Sequence, residues 1–342
     1  MTAVDQTAEA PFLAFLDVGH GDCCVLVSPA SHQAAIVDCP RGQGPTALRF
    51  LQSHAVSEIT FALITHLDED HAAGMITLLD NFCRNGGRVR DLYYNDDRWG
   101  ETPGYRSLIR EFLDNTERLG IEIGDARVAH RRQKLQLLSA NGITASLVYP
   151  KKRDVESCKN TPNEASAVIE LCVLGHVVLL LADIEETGCA RLLERGLVPN
   201  ARVVKMPHHG DWTSKLGDIM AAAQPEFAVV SCGRPSRHDK TLPDPHMLAA
   251  LAPYTKDGMR LLCTELGRAC YPEVPNHVTE ALRSTLPQEN AFGRSGRHKS
   301  PPVPCAGTIY VRFLEGRVEV TPDARDRRAL VAQHGGSPAC EA

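Results

Sequence analysis

Apolar residues along this chain come in short blocks, and the spacing inside each block separates strands from helices. Residues 12–16, 24–27 and 34–37 are brief apolar runs bounded by Gly, Asp, Ser or Pro, and they predict three strands. Gly19 and Gly21 suit a tight hairpin between the first two. Residues 45–55, with Leu48 and Leu51 on one face, predict a helix; residues 61–65 predict a buried strand, and the run from Ala72 opens another helix. Residues 88–138 form a polar stretch with one predicted helix over 105–119 and a loop around 95–99. A second strand-rich half begins near Ile143. Residues 165–171 and 177–181 predict a hairpin turned near Gly175, followed by a helix over 186–195, a strand over 202–206, a helix over 216–223, a strand over 227–231, a helix over 245–254 and a strand over 259–263. Residues 272–304, rich in Pro, Gly, Ser and Arg, read as an insertion. Residues 308–313 and 317–320 form a closing hairpin turned at Glu315-Gly316. The ends, 1–10 and 323–342, are expected to be disordered or frayed. No internal sequence repeat is visible. Two strand-rich halves with helices between them predict one α/β domain over 11–322, with sheet packed on sheet and helices outside.

Composition narrows the function classes. With 342 residues, 43% of them hydrophobic, the chain can bury one large core. Its net charge of -5 gives no global argument for a polyanion partner, so a nucleic-acid contact would need a local basic patch. Aromatics at 5% weaken a base-stacking single-strand binder as the primary function. The 12 cysteines are scattered through apolar runs, as small buried hydrophobes in a reducing compartment would be. The first ten residues lack a basic or apolar run, and no apolar stretch approaches the roughly 20 residues that span a bilayer. A cytoplasmic protein without membrane contact is the expectation.

The densest chemistry is His66-Leu67-Asp68-Glu69-Asp70-His71. A strand end that delivers two imidazoles and two carboxylates into one loop suits a divalent metal, because charged groups are costly to bury unless paired or metal-bound. Asp183 follows the apolar run 177–181 and can bridge two metals if its loop faces the same edge; it can equally be the N-cap of the following helix. His208-His209-Gly210 follows another strand. On an extended backbone adjacent histidines point in opposite directions, so one would bind metal while the other supports it or meets substrate. Asn163 is a weak ligand, a substrate contact or an ordinary turn residue. Together these residues would hold two ions sharing a water that becomes hydroxide near neutral pH. The oxygen-rich set makes Mn²⁺ plausible beside Zn²⁺.

At this point the chain resembles the metallo-β-lactamase superfamily, and within it the hydrolase domain of ComEC/Rec2-type competence proteins. The H-x-D-x-D-H loop is shared with that subfamily. So are Phe15-Leu16-Asp17-Val18-Gly19-His20-Gly21-Asp22, against F-L-D-V-G-Q-G-D, and Leu181-Ala182-Asp183-Ile184-Glu185, against L-T-G-D-I-E. Lys205-Met206-Pro207-His208-His209-Gly210 resembles K-x-P-H-H-G, and Val230-Ser231-Cys232-Gly233-Arg234 resembles its S-x-G-x strand end. His20 in place of glutamine, Ala182 in place of glycine and Asp211 in place of serine are departures. The resemblance implies a metallo-β-lactamase-like αββα sandwich. It implies His66, Asp68, Asp70, His71, Asp183, His208 and His209 as metal ligands, with Asp70 and His209 closest to catalysis. Asn163, Lys205, Ser214, Arg234 and His238 are the candidate substrate contacts. The expected activity is a metal-dependent phosphodiesterase or nuclease. The alternatives are hydrolysis of a lactone, thioester, peptide or lactam, or a binding module that keeps a structural metal.

Overall fold

Residues 10–94, 134–135, 142–158, 161–233, 242–265 and 305–333 are described by a computed structural model. Within them the strands gather into two seven-stranded sheets. The first contains β1 (Phe12–Phe15), β2 (Cys24–Ser28), β3 (Gln33–Val37), β4 (Glu58–Ile64), β5 (Arg88–Tyr94) and the distant hairpin β13 (Ile309–Leu314) and β14 (Arg317–Thr321). Its spatial order is β14-β13-β1-β2-β3-β4-β5. The second contains β6 (Lys134–Leu135), β7 (Ile143–Tyr149), β8 (Val168–Val173), β9 (His176–Leu180), β10 (Val203–Lys205), β11 (Phe227–Val230) and β12 (Arg260–Cys263), laid side by side in chain order.

Period-two alternation sorts the side chains of each strand into two layers. Leu13 and Phe15 of β1, Phe61 and Leu63 of β4, Ile169 and Leu171 of β8, and Val229 of β11 meet between the sheets. Phe12 and Ala14 of β1, with Ala62 and Ile64 of β4, turn outward against α1 (Gly44–Ser53) and α2 (Met75–Arg84), through Phe50, Leu51, Leu78 and Leu79. Leu179 of β9, Val204 of β10 and Val230 of β11 turn outward against α4 (Glu186–Glu194), α5 (Leu216–Ala223) and α6 (Pro245–Lys256), through Leu192, Ile219 and Leu251. The short α3 (Lys152–Ser157) lies between β7 and β8 in the chain. Four layers result, an αββα sandwich as expected. Both faces of the central strands are therefore apolar and buried, one against the opposite sheet and one against helices.

Both sheets follow one plan. Strands β1, β2 and β3 pair antiparallel, then β3, β4 and β5 pair parallel. Strands β7, β8 and β9 pair antiparallel, then β9, β10, β11 and β12 pair parallel. Parallel neighbours need crossover helices, which α1, α2, α4, α5 and α6 supply. The chain therefore leaves β3 and β4, and likewise β9 and β10, at the carboxyl ends of parallel strands, where open α/β sheets place their ligand loops.

Three expectations change. Residues 88–94, read as part of a polar stretch, form β5; it ends the first sheet, and its Arg88, Arg90 and Asp91 are tolerated on an edge that faces water. No tight hairpin joins β1 to β2. Their connection is a broad loop closed by the Leu16 N–H donating to the Cys23 carbonyl (2.9 Å). The tail from Asp323 opens with α7 (Ala324–Gln333). Asp323 caps it by accepting from the N–H groups of Arg325 (2.7 Å) and Asp326 (2.8 Å), and Arg327 is buried, donating to the Leu261 carbonyl (3.0 Å). The predicted helix over 105–119, the loop around 95–99 and the insertion over 272–304 lie outside the described residues. Among the described residues no helix is long and apolar enough to cross a membrane. No disulfide joins the ten described cysteines, and most of them are buried.

Candidate metal centre

The first half builds its part of the centre on Asp38, the residue after β3. Asp38 Oδ1 accepts from the Thr65 N–H (2.7 Å) and Oδ2 from the Thr65 hydroxyl (2.7 Å), which fixes the chain as it leaves β4. A turn then closes on Asp68, whose carbonyl accepts from the N–H groups of His71 (3.0 Å) and Ala72 (2.8 Å). This folding back brings the rings of His66 and His71 to 4.1 Å, both fully buried. His71 Nδ1 donates to Asp38 Oδ2 (2.8 Å), so its Nε2 is left facing inward, 3.2 Å from Asp183 Oδ2 and 3.2 Å from His209 Nε2. A carboxylate that holds the remote nitrogen of a histidine fixes both its tautomer and its ring orientation.

The second half supplies Asp183 after β9 and the two histidines after β10. Pro207–Gly210 is a 3-10 turn in which His208 (φ 46°) and His209 (φ 54°) both take left-handed backbone. The extended backbone expected here is absent. Each such residue costs roughly 1–2 kcal/mol, a strain that clusters at functional sites. The turn sends His209 inward, with Nδ1 donating to the Ser231 carbonyl (2.9 Å) and Nε2 lying 3.3 Å from Asp183 Oδ2 and 3.6 Å from Asp70 Oδ2. His208 stands at the mouth, its Nδ1 3.1 Å from Glu185 Oε1 and its Nε2 3.9 Å from Asp183 Oδ2.

The donor set fits a divalent ion. His66 Nε2 and Asp183 Oδ1 are buried and accept or donate no hydrogen bond, although such groups are ordinarily satisfied. One atom each from Asp22, His71, Asp183 and His209 lie within 4.8 Å of one another, and so do atoms of His20, Asp70 and His209. Burial, then the neighbouring His71, pushes the His66 imidazole down to about 3, so its lone pair is free. Burial works against charge on Asp183, yet His209 and His71 hold its carboxyl well below the usual range. Burial likewise opposes charge on Asp70, and hydrogen bonds from His20 and His209 outweigh it. Asp183, a possible helix cap by sequence, turns its carboxylate to these histidines, and Glu185 stands at the N-cap position of α4.

Three residues of the centre were missed as site members. Asp38, Asp22 and His20 each lie beside a strand end or glycine, where a polar residue looks like ordinary turn chemistry. Asp22 is buried and accepts a short hydrogen bond from the ammonium of Lys205, which also donates to the Ala182 carbonyl (3.3 Å) and lies 3.9 Å from Asp183 Oδ1. Lys205 was expected to hold substrate. At 1% exposure and paired to Asp22, its ammonium is turned to the interior instead. Ser214 is exposed, and its backbone N–H and hydroxyl both donate to Glu186, at the start of α4. Asp68 is half-exposed, 3.8 Å from His66 Nε2, at the solvent side. Asn163 donates to Glu185 Oε1 (3.2 Å), lies 3.4 Å from His208 Nε2 and keeps its Oδ1 buried and unbonded. Arg234 and His238 lie outside the described residues.

No family profile and no curated protein matches the chain. Among solved structures, the metallo-β-lactamase fold protein YhfI from Bacillus subtilis is 14% identical, with a TM-score of 0.45, over 75% of this chain and 98% of its own. The short form of human tRNase Z is 14% identical with a TM-score of 0.39, over 64% of this chain and 90% of its own. A diphosphatase of the PhnP family is 12% identical with a TM-score of 0.39, over 64% of this chain and 85% of its own.

Proposed function

We propose that the chain is a metal-dependent hydrolase of phosphodiesters, nucleic acid included, working with two divalent ions, zinc or manganese. The observation that supports the reading is that donor atoms of Asp70, His71, Asp183 and His209 gather in two overlapping groups from loops of both sheets, with the His66 ring 4.1 Å from that of His71 and with His66 Nε2 and Asp183 Oδ1 buried without a hydrogen-bond partner. The sequence resemblance to ComEC/Rec2-type hydrolase domains supports the same reading and favours phosphoesters over lactones, thioesters, peptides or lactams.

Ions held by these residues would supply Lewis acidity and an acidified water. His66 and Asp68 would hold one ion, Asp70, His71 and His209 the other, with Asp183 between them. Asp38 fixes the His71 ring through Nδ1, leaving Nε2 for an ion it would hold, and the Ser231 carbonyl does the same for His209. On the open side, Asp70 is 31% exposed, with its Oδ2 3.2 Å from His20 Nε2 and 3.6 Å from His209 Nε2. Asn163 and His208 line the mouth on the other side, where a substrate oxygen would meet them. Arg234 and His238 remain candidates for a phosphate contact on the chain that follows β11.

The test is hydrolysis of bis-p-nitrophenyl phosphate and of DNA with Zn²⁺ or Mn²⁺, beside a panel of lactones, thioesters and lactams. Asp70→Ala and His71→Ala are expected to abolish turnover while circular dichroism shows an intact fold. Full activity in either variant would end the proposal; turnover confined to the non-phosphate panel would end its substrate half.

A further inference from the structure

The loop between β1 and β2 brings one more imidazole to the centre. His20 Nε2 is 3.2 Å from Asp70 Oδ2, and the ring centroid is 4.5 Å from that of His209. Donor atoms of His20, Asp70 and His209 fall within 4.8 Å of one another, a separation that one ion can span. The other ring nitrogen, Nδ1, is buried with no hydrogen-bond partner among the described residues, so the contact of Nε2 with Asp70 leaves half of this histidine's polar capacity unused.

The backbone that carries His20 is gripped from both sides. Gly21 has φ +124°, and a Cβ there would stand 2.5 Å from the Asp70 carbonyl oxygen. The next N–H, of Asp22, donates to that same carbonyl (3.1 Å). From the second sheet, a Cβ on Gly233 would lie 2.2 Å from the carbonyl carbon of Gly19 and 2.5 Å from the His20 nitrogen. Two bare glycines therefore let the loop press against the Asp70 backbone on one side and the chain after β11 on the other. A side chain held this way is preorganised, as a ligand must be.

We propose that His20 is a metal ligand, sharing the ion held by Asp70 and His209, and that it biases that position toward zinc over manganese. The inference rests on the metal-centre reading above, but not on the identity of the substrate. The chemical reason is donor type. Imidazole suits Zn²⁺, whereas carboxylate, carbonyl and water oxygens suit Mn²⁺. With Asp70 and Asp183 already supplying oxygen, a third imidazole beside His71 and His209 makes the position nitrogen-rich.

The experiment compares metal uptake by the wild-type chain and by His20→Gln, whose amide can still donate to Asp70 but offers an oxygen in place of the ring nitrogen. Zinc and manganese affinities are measured by chelator competition, stoichiometry by elemental analysis, and the ligand field by visible absorption after cobalt loading. Zinc affinity at one of two positions is expected to fall at least ~10-fold, the lower range for losing even an indirect partner of a metal site. Manganese affinity should change little, and the cobalt spectrum should shift. His20→Asn serves as the second variant if His20→Gln is poorly folded. Two bound ions with an unchanged zinc-to-manganese ratio and an unchanged cobalt spectrum would overturn the assignment while leaving the hydrolase reading intact. A wild-type chain that takes up no ion would overturn both, and ions bound without phosphodiester turnover would count only against the substrate class.

Discussion

The two halves of the sandwich place an aspartate and then a histidine loop at matching points, and use them differently. In the first half Asp38 follows β3, and the His66–His71 loop follows β4. In the second Asp183 follows β9, and the His208–His209 turn follows β10. Each half makes its turn with a left-handed residue other than glycine. In the first that residue is Asp38 itself (φ 61°), whereas in the second it is Ala182 (φ 47°), one place before the aspartate. The consequence is a change of role. Asp38 grips Thr65 and the outer nitrogen of His71, while Asp183 reaches the inner nitrogens of His71 and His209. Equivalent topology thus yields one carboxylate that orients the His71 ring and another that faces the inner nitrogens of His71 and His209.

The halves are joined at the centre by the buried Asp22–Lys205 pair, with Asp22 from the first and Lys205 from the second. Breaking it is the most severe way to separate them. Lys205→Met removes the ammonium from the buried Asp22 carboxylate, leaving it only His209 (3.6 Å) and His71 (3.9 Å), and is expected to cost about 3 kcal/mol. Urea denaturation would measure this, and adding Asp22→Asn should recover a large part of the loss. If the single variant is as stable as the wild type, the halves are not coupled through this pair.

Asp38→Asn probes the division of labour directly. Losing the carboxylate behind His71 should lower metal affinity or activity by roughly 10–100-fold, the usual cost of an outer partner of a metal-binding histidine. Its counterpart Asp183→Asn should eliminate activity outright. Equal effects in steady-state kinetics and zinc titration would show that the two aspartates do the same work.

The smallest expected effect concerns an ion pair of the second half. Between β7 and β8, Asp154 receives both guanidinium nitrogens of Arg195 at 2.7 Å, and its Oδ2 accepts from the Lys151 N–H (2.8 Å). Burial tends to raise the Asp154 pKa, but Arg195 and this backbone donor bring it below the ordinary carboxylate value. A depressed folded pKa gives stability that is present above the unfolded value of about 3.9 and is lost as the pH falls through the folded one. Asp154→Asn should therefore cost about 1.5 kcal/mol near neutrality. The deficit should shrink in strong acid, as read from melting temperatures between pH 7 and pH 3. A deficit that does not change with pH would remove the ion pair from the account.

Sequence patterning exposed most of the architecture because most strands are apolar on both faces, and such runs stand out between Gly, Pro and Asp. Strand β5 hid because Arg88, Arg90 and Asp91 interrupt its apolar pattern, as an edge position permits. In the candidate centre, the H-x-D-x-D-H loop stood out because four potential metal-binding groups in six residues have few other uses. Asp22, Asp38 and the true orientation of Lys205 did not. Their meaning lies in partners from distant segments, such as Asp22 on Lys205, 183 positions away. The left-handed backbone of His208 and His209 was also hidden, since neither residue type advertises it. Pro207 and Gly210 marked that stretch as irregular.

The first strand of the sandwich is completed by the last hairpin. Strand β1 lies between β2 and β13, and the Asp17 N–H donates to the Thr308 hydroxyl across 291 positions of chain. On a ribosome adding ~5–20 residues per second, β1 would wait roughly 15–60 s for that neighbour. Throughout this interval its unpaired backbone edge stays open to wrong partners. Nascent chains of this protein are therefore predicted clients of holding chaperones until β13 and β14 emerge.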